Sequence, residues 1–543
     1  MKRTLLFLGF SLLIFIHCSI QPSPPAKPGP KKEPFIRVGI VWDIQSIDFS
    51  VQNGFQITNY DGTFIAKESR GGRWRAQIFS SEPGQTVYLL VGASMNSMQS
   101  AQAMAKQIQK KGFETFIQPT GVPLRINGKQ VQDNRTYRVY LQKRFQDRGS
   151  AESYRDAIWN RLETFLVQQE VKGSHGKITL KNLENGQSFE SYKPILIRGA
   201  SVTLHGIPVG AGYHWEKKES RSFPEIIGFD LDSNGKLAVV NIVQLETYLQ
   251  GVVPSEMPNG FPLEALKAQT VAARSEVLSK LGFVHTADPF DICADVHCQV
   301  YSGLTKRAAS TDRAVRETNG VVLWKDGKIC DAVYSAVCGG HGEDNHKVWG
   351  GQSKSYLKGS YDGSRSLKQY GSLDREKNVK RWLDTKPSAY CNSTKGWALP
   401  AMEYTKKYFR WTVQYTQNEL RDHLKNYSGR DVGAIIDLIP LKRGSSGRIT
   451  QLRVLGSRSE YIIEKELQIR RALANSTLWS SCFYVKKKRI RGNVPSEFEL
   501  RGAGFGHGVG MCQTGAATMA IRGNRFHQIL KHYYQDIRLK RLY

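Results

Sequence analysis

A chain of 543 residues is too long for one hydrophobic core and predicts two to four domains. Lys and Arg outnumber Asp and Glu by 77 to 48, a formal charge of +29 that implies an anionic neighbour such as wall polymer, lipid head groups or nucleic acid. The basic residues are spread along the chain without a zinc-finger or RNA-recognition signature, so nucleic acid is set aside as a partner.

Lys2 and Arg3 precede an apolar run from Leu5 to Ile16, too short to span a bilayer comfortably and suited to a secretory signal. Cys18 follows at once. It is either the lipid-modified first residue of a lipoprotein, which would tie the protein to a membrane, or the end of an ordinary signal peptide over residues 1–18. His17 is a poor fit to the small residue usual before a lipidated cysteine. Both readings export the protein to the periplasm or cell envelope. Seven cysteines remain: Cys293, Cys298, Cys330, Cys338, Cys391, Cys482 and Cys512. Export favours disulfides, and an odd number leaves at least one thiol free or bound to a metal.

Residues 19–34 read as an extended Pro/Lys linker. Residues 35–85 alternate like strands. Residues 86–168 repeat a strand–helix order twice. The strand TVYLLVGA leads to an amphipathic helix capped by Ser97 or Ser100 and stopped at Gly112. Two more strands, FETFIQP and TYRVYLQ, precede a second helix over AESYRDAIWNRLETFLVQQ. Residues 174–254 are strand-rich. A helix is expected over 263–280, opened by Pro258 and Pro262. A hairpin is expected around Asp326-Gly327. Residues 365–500 are mixed, with a helix at 417–426 and strands at 433–440, 448–456 and 482–490. A Gly-rich loop and a helix over 514–531 close the chain. The fold class is α+β.

Two dense patches stand out: LETYLQGVVPSEMPNGFPLEALKAQTVAARSEVL from Leu245, and RGAGFGHGVGMCQTGAATMA from Arg501. Glu256 lies between Pro254 and Pro258, beside Val252, Val253 and Met257. A turn there would dry its carboxyl and raise its pKa, as a general acid requires; a helix-capping role is the plainer alternative. Lys267 and Arg274 are seven apart and share a helix stripe, whereas Gln269 is offset by about 200°. The two cations suit an anionic sugar, and Glu264 paired with Lys267 is the solvated alternative. His285, Cys293, His297 and Cys298 offer two imidazoles and two thiols, suited to tetrahedral zinc or to a Cys293–Cys298 disulfide. His507 stands among Gly504, Gly506, Gly508 and Gly510. A strand so free of side chains would leave His507 and Gln513 facing a groove.

The stretches GVVPSEMPNGFPLEALKAQTVAARSE, DICADVHCQVYSG, AVYSAVCGGHGE and GAGFGHGVGMCQTGAATMA, in that order, resemble the stage II sporulation protein D (SpoIID/LytB) family. The resemblance implies a catalytic domain over 174–543 and a peptidoglycan lytic transglycosylase acting on denuded glycan strands. Glu256 is the implied catalytic acid. Lys267, Gln269, Arg274, Tyr334, Ser335, Gly339, Gly340, His507 and Gln513 are the implied substrate contacts, with glycines 339 and 340 admitting close approach of the ligand. It also implies a structural zinc on His285, Cys293, His297 and Cys298, and a local disulfide at Cys338, with Cys391 as a partner. Cys512 stands where the family carries serine, and Cys482 is a candidate partner for it. Some members instead bind peptidoglycan and recruit or stimulate an amidase, which would make an amidase the partner. The unit at 86–168, through YLLVGASMNSMQSAQAMAKQI and YRVYLQKRFQDRGSAESYRDA, resembles the SPOR domain, a small α/β module that binds peptidoglycan.

Overall fold

The computed structural model describes residues 33–126, 128–210, 217–364, 368–394 and 398–543. The export segment, Cys18 and nearly all of the Pro/Lys linker lie outside the described residues. Among the described residues no helix is long and apolar enough to cross a membrane.

The architecture is α+β. Its base is an eleven-stranded sheet. Along its main path the strands are 188–191, 175–182, 64–82, 46–59, 195–198, 226–231, 237–244, 35–44 and 292–293, and strands 202–209 and 217–223 branch from it. The first strand shows why these segments pair: Ile36 and Val38 alternate inward, and Val38 sits opposite Asn241 in the antiparallel register. Against this sheet pack the helices Leu245–Glu256, Leu263–Lys280, Ala309–Glu317, Gln513–Ile521 and Phe526–Tyr533. Leu263–Lys280 runs through the middle, buried along nearly its whole length. It starts after Pro262, whose fixed φ suits a helix entrance. The hairpin at Asp326-Gly327 forms as its sequence predicts, both residues taking positive φ (47° and 80°).

Residues 85–172 are spliced into a hairpin of the large sheet, since Glu82 and His175 on either side pair with each other. The unit is a four-stranded antiparallel sheet in the order 115–120, 136–145, 85–95, 165–172, with helices Met98–Lys110 and Arg148–Ile158, a split βαβ arrangement. Ser97 caps the first helix by accepting from Ser100 N–H. The second helix is shorter than its sequence suggests. It ends at Ile158, and Phe165–Lys172 becomes a strand, because FLVQQ pairs with Val87–Val91 across the sheet. Pairing with a neighbouring strand overrode local helix propensity. A side hairpin, Pro123–Ile126 with Lys129–Asp133, roots the unit on the main body: Leu124 and Ile126 join the main core, and Asn134 Nδ2 donates to Leu278 O at 3.1 Å.

Inside the stretch read as one catalytic domain, residues 411–502 bury a second core of their own. Two three-stranded sheets (411–416, 494–502, 483–491 and 435–443, 449–456, 460–464) enclose it with helices Gln417–Ser428 and Glu466–Ala472. The C-terminal helix expected over 514–531 is broken into two, with Gly523 at φ 87° between them.

Candidate functional site

Glu256 is the last residue of helix Leu245–Glu256, not part of a turn after a strand. The helix ends there because Met257 is extended and Pro258 follows. The half-buried carboxyl is backed by Val252, Val253 and Met257, all buried. Its Oε1 accepts Val300 N–H at 2.7 Å. Burial pushes its pKa from 4.5 to about 7 against the pull of that N–H, and the nearby charge of Glu276 pushes the same way. Exposed Lys306 and partly buried Lys280 pull it down.

Around it runs a polar network. Gln299 Oε1 accepts Tyr248 Oη at 3.0 Å, while Gln299 Nε2 donates to Glu276 Oε2 at 2.9 Å and meets Tyr334 Oη at 3.3 Å. Glu276 is itself engaged through both oxygens, its Oε1 held by Lys280 Nζ at 2.5 Å. Burial raises the Tyr334 hydroxyl well above its ordinary range, and the charge of Glu256 adds to the effect.

The C-terminal patch meets this network directly. Strand Tyr334–Ser335 pairs in parallel with Met511–Cys512, so Gln513 emerges beside the acid. Gln513 Nε2 donates to the backbone oxygen of Glu256 at 3.0 Å and to Gln269 Oε1 at 3.2 Å. The two patches thus form one site. Ser335 is buried, and neither its hydroxyl nor Gln269 Nε2 has a protein partner. His507 accepts Val509 N–H on Nδ1 at 3.0 Å, which leaves its proton on Nε2. Burial, with the charges of Arg448 and Arg470, lowers its pKa to about 3, so the ring is neutral. It packs at 5.0 Å against Trp349, whose indole is 45% exposed.

Several expected ligand contacts are structural instead. Lys267 pairs with Glu264 at 2.8 Å and with Glu317 at 2.5 Å. Arg274 is wholly buried, clamped by Glu246 at 2.8 and 2.6 Å and bonded to Val321 O at 2.9 Å. Neither cation is free for a sugar. Gln269, offset from their stripe, meets Gln513, whose amide also bonds the acid's helix end. Gly339 and Gly340 are buried and turn their Cα faces to Ala503 and Trp382, so their positive φ and missing side chains serve packing. Glycines 504–510 form no strand. All four have positive φ, and Gly504 and Gly508 make room for Arg448, which is fully buried. Arg448 belongs to the second core and donates to Cys338 O at 3.2 Å and Gly506 O at 3.3 Å, joining both loops of the site.

Sequence reasoning missed Glu276, Gln299, Lys306, Trp349 and Arg448. The Glu276–Lys280 pair at i,i+4 was a legible signal. Gln299 follows the Cys293–Cys298 motif directly, whereas Lys306, Trp349 and Arg448 lie outside the quoted motifs.

The donor atoms of His285, Cys293, His297 and Cys298 all lie within 4.8 Å of one another. Cys298 Sγ is 3.4 Å from His285 Nε2 and 3.5 Å from His297 Nδ1, and both cysteines are free thiols. Asp288 Oδ2, 2.8 Å from His285 Nδ1, fixes that ring with Nε2 toward the thiols, as a carboxylate behind a metal-binding histidine does. The donor set fits a tetrahedral ion. The expected disulfides are not formed. Cys338 and Cys391 sulfurs stand 3.5 Å apart. Cys482 packs with Trp382 and Tyr484, its sulfur on Ser446 O, while Cys512 lies with Cys338.

The sequence profile described as "Stage II sporulation protein" (SpoIID) matches residues 233–324, the segment holding Glu256, Gln269, Glu276, Gln299, Val300 and the His285, Cys293, His297 and Cys298 cluster. A domain of unknown function (DUF8618) matches 343–510, which includes Trp349, Arg448 and His507. The chain is 31% identical over 300 residues to the amidase enhancer of Bacillus subtilis, covering 53% of this chain and 39% of that protein. It is 29% identical to an uncharacterized protein of Brachyspira hyodysenteriae, covering 56% of this chain and 68% of the other. It is 28% identical to the stage II sporulation protein D of Bacillus amyloliquefaciens, covering 55% and 74%. Over residues 233–324 this chain is a match to the SpoIID family.

Proposed function

We propose that this protein is an envelope-located peptidoglycan lytic transglycosylase that cleaves MurNAc–GlcNAc linkages in denuded glycan. The observation that carries the reading is a partly buried carboxyl, Glu256, titrating near neutrality beside a second and more deeply buried carboxyl, Glu276, whose oxygens are both taken. A hydrolase needs a second free carboxylate as nucleophile or base. A transglycosylase does not. Protonated Glu256 gives its proton to the glycosidic oxygen as the bond to the muramic C1 breaks. The muramic 6-hydroxyl then attacks C1, its proton passes to the Glu256 carboxylate, and a 1,6-anhydro ring closes. Val300 N–H holds the carboxylate oriented in both states, and Gln513 holds the helix end that carries it. Trp349, exposed beside neutral His507, offers a face for a sugar ring. Zinc on His285, Cys293, His297 and Cys298 would supply structural order, fixing the turn that delivers Gln299 and Val300 to the acid. The unit at 85–172, in the same proposal, is the SPOR-like glycan holder, and the strong positive charge suits an anionic wall.

Incubating the pure protein with denuded glycan and analysing products by mass spectrometry tests this directly. Anhydro-muramic ends should appear with the wild type and vanish with Glu256→Gln. The amidase enhancer name of one relative favours a second reading, a wall-binding protein that stimulates an amidase. That reading predicts no anhydro product, and faster amidase turnover with wild type and Glu256→Gln alike.

A further inference from the structure

A second convergent donor set lies apart from the first, deeper in the protein. Cys338, Asp362, Cys391 and Cys512 come from four separate segments, and all are buried, none more than 4% exposed. Their ligand atoms lie within 4.8 Å of one another. We propose that these four residues bind a structural zinc ion, a Cys3Asp site distinct from the Cys2His2 set.

The separations suit an ion better than a disulfide. Zinc bonds of about 2.3 Å to sulfur and about 2.0 Å to oxygen give tetrahedral edges of roughly 3.5–3.8 Å. Cys338 Sγ lies 3.5 Å from Cys391 Sγ and 3.3 Å from Asp362 Oδ2. Disulfide sulfurs stand about 2.05 Å apart, and any pairing strands the third thiol beside a buried carboxylate. Among the described residues no lysine or arginine bonds that carboxylate. Its contacts are Tyr533 Oη at 2.8 Å, Cys391 N–H at 3.1 Å, the Cys338 thiol and, at 3.6 Å, His532 Nε2. A buried anion needs a cation, and a divalent ion among three sulfurs supplies it.

The surroundings are arranged as around a metal. Tyr533 and His532 lie behind the carboxylate, the position of groups that orient a ligand. The Cys512 sulfur accepts Cys338 N–H at 3.2 Å and Gly515 N–H at 3.4 Å, at the start of helix Gln513–Ile521, where thiolate charge is favoured. Buried Arg448 and partly buried Arg410 donate to the carbonyls of Cys338 at 3.2 Å and Gly339 at 2.8 Å, setting positive charge against an anionic centre.

The ion would have a definite mechanical role. Cys512 directly precedes Gln513, and Cys338 lies three residues past strand Tyr334–Ser335, just after the Val337 bridge to Phe505. Joining their sulfurs locks the parallel pairing of 334–335 with 511–512, which places Gln513 on the Glu256 helix end. Asp362 and Cys391 anchor the same point to the 343–510 segment.

Metal analysis of the full chain with the Cys2His2 set removed tests the site. Cys293→Ser/Cys298→Ser protein, purified with reductant and zinc, should retain one zinc per chain and, after exchange into cobalt, show thiolate-to-cobalt charge-transfer absorption. Adding Cys391→Ser or Asp362→Asn should remove the zinc and weaken or abolish the band. Should the double variant fail to fold, wild-type protein should carry two zinc ions and Asp362→Asn protein one. The proposal is overturned by a folded double variant without metal, by wild-type protein holding a single ion that Asp362→Asn keeps, or by peptide mapping that finds Cys338 and Cys391 disulfide-linked in protein taken from its native compartment.

Discussion

Glu256→Gln separates the chemistry of the site from its stability, because the two should move in opposite directions. Glutamine keeps an oxygen to accept Val300 N–H and fills the same space. What it removes is a titration that burial has displaced from 4.5 to about 7. The sign follows from the direction of that shift. Between pH 4.5 and about 7 the unfolded chain gives up its proton while the folded one keeps it, so the wild type loses stability as pH rises across this window. Below the window the residue contributes nothing, and above it the loss is complete, about 3 kcal/mol at most. The glutamine protein escapes the loss. Urea denaturation of both proteins, compared well below pH 4.5 and well above pH 7, cancels every other titrating group. The expected result is near-equal stability in acid and a variant more stable by about 2–3 kcal/mol in alkali, with no anhydro product at either pH. Wild-type activity should fall as pH rises through about 7, as the acid loses its proton. An equal difference in stability at both extremes would mean that Glu256 titrates like an exposed glutamate, and the dry-acid mechanism would be lost.

Arg274→Met should cost about 3–5 kcal/mol, because it strands Glu246 in the interior, yet leave glycan affinity of the folded fraction unchanged by isothermal titration. Trp349→Ala should weaken denuded-glycan binding about three- to tenfold, as loss of one stacking face does, with no change in melting temperature because the ring is exposed. Cys298→Ser should lower zinc content by one ion per chain and reduce activity in proportion, with melting temperature and metal analysis read together; a chelator on the wild type should do the same.

How far the sequence carried the site depended on the range of the interaction. The Pro-flanked Glu256, its raised pKa, the Lys267–Glu264 pairing alternative and the clustering of His285, Cys293, His297 and Cys298 were all readable, because each is a local pattern within a few residues. Most strands and helices of residues 35–280 were readable for the same reason, through their two- and 3.6-residue periods, but helix Leu245–Glu256 and strand Phe165–Lys172 were not. Arg274 was misread because its partner, Glu246, is 28 positions away on another helix, and a helical wheel shows only which face a residue takes. Gly339, Gly340 and the glycines of 504–510 were misread because glycine signals a close approach without saying of what. Here it is Ala503, Trp382 and Arg448 that approach. The strand at Phe165–Lys172 and the separate core at 411–502 were hidden because both are decided by partners far along the chain.

The same distance dependence explains why the acid sits where it does. Met257 and Pro258 end the helix at Glu256, but its tie to the rest of the site comes from Gln513, 257 positions later, through one amide. Gln513 in turn is placed by the pairing of 334–335 with 511–512, and the carbonyls flanking that pairing are held by Arg448 from the second core. A chain that lost residues 411–502 would therefore keep Glu256, Val300 and every local feature of the acid. It would lose the guanidinium that holds the loops around it. The second core is thus part of the geometry of the site, although it supplies no group near the carboxyl. A separation of roles is built into the fold: the 233–324 segment supplies the acid and its dry wall, and the 343–510 segment supplies the clamp that keeps the far loop, and with it Gln513, in register.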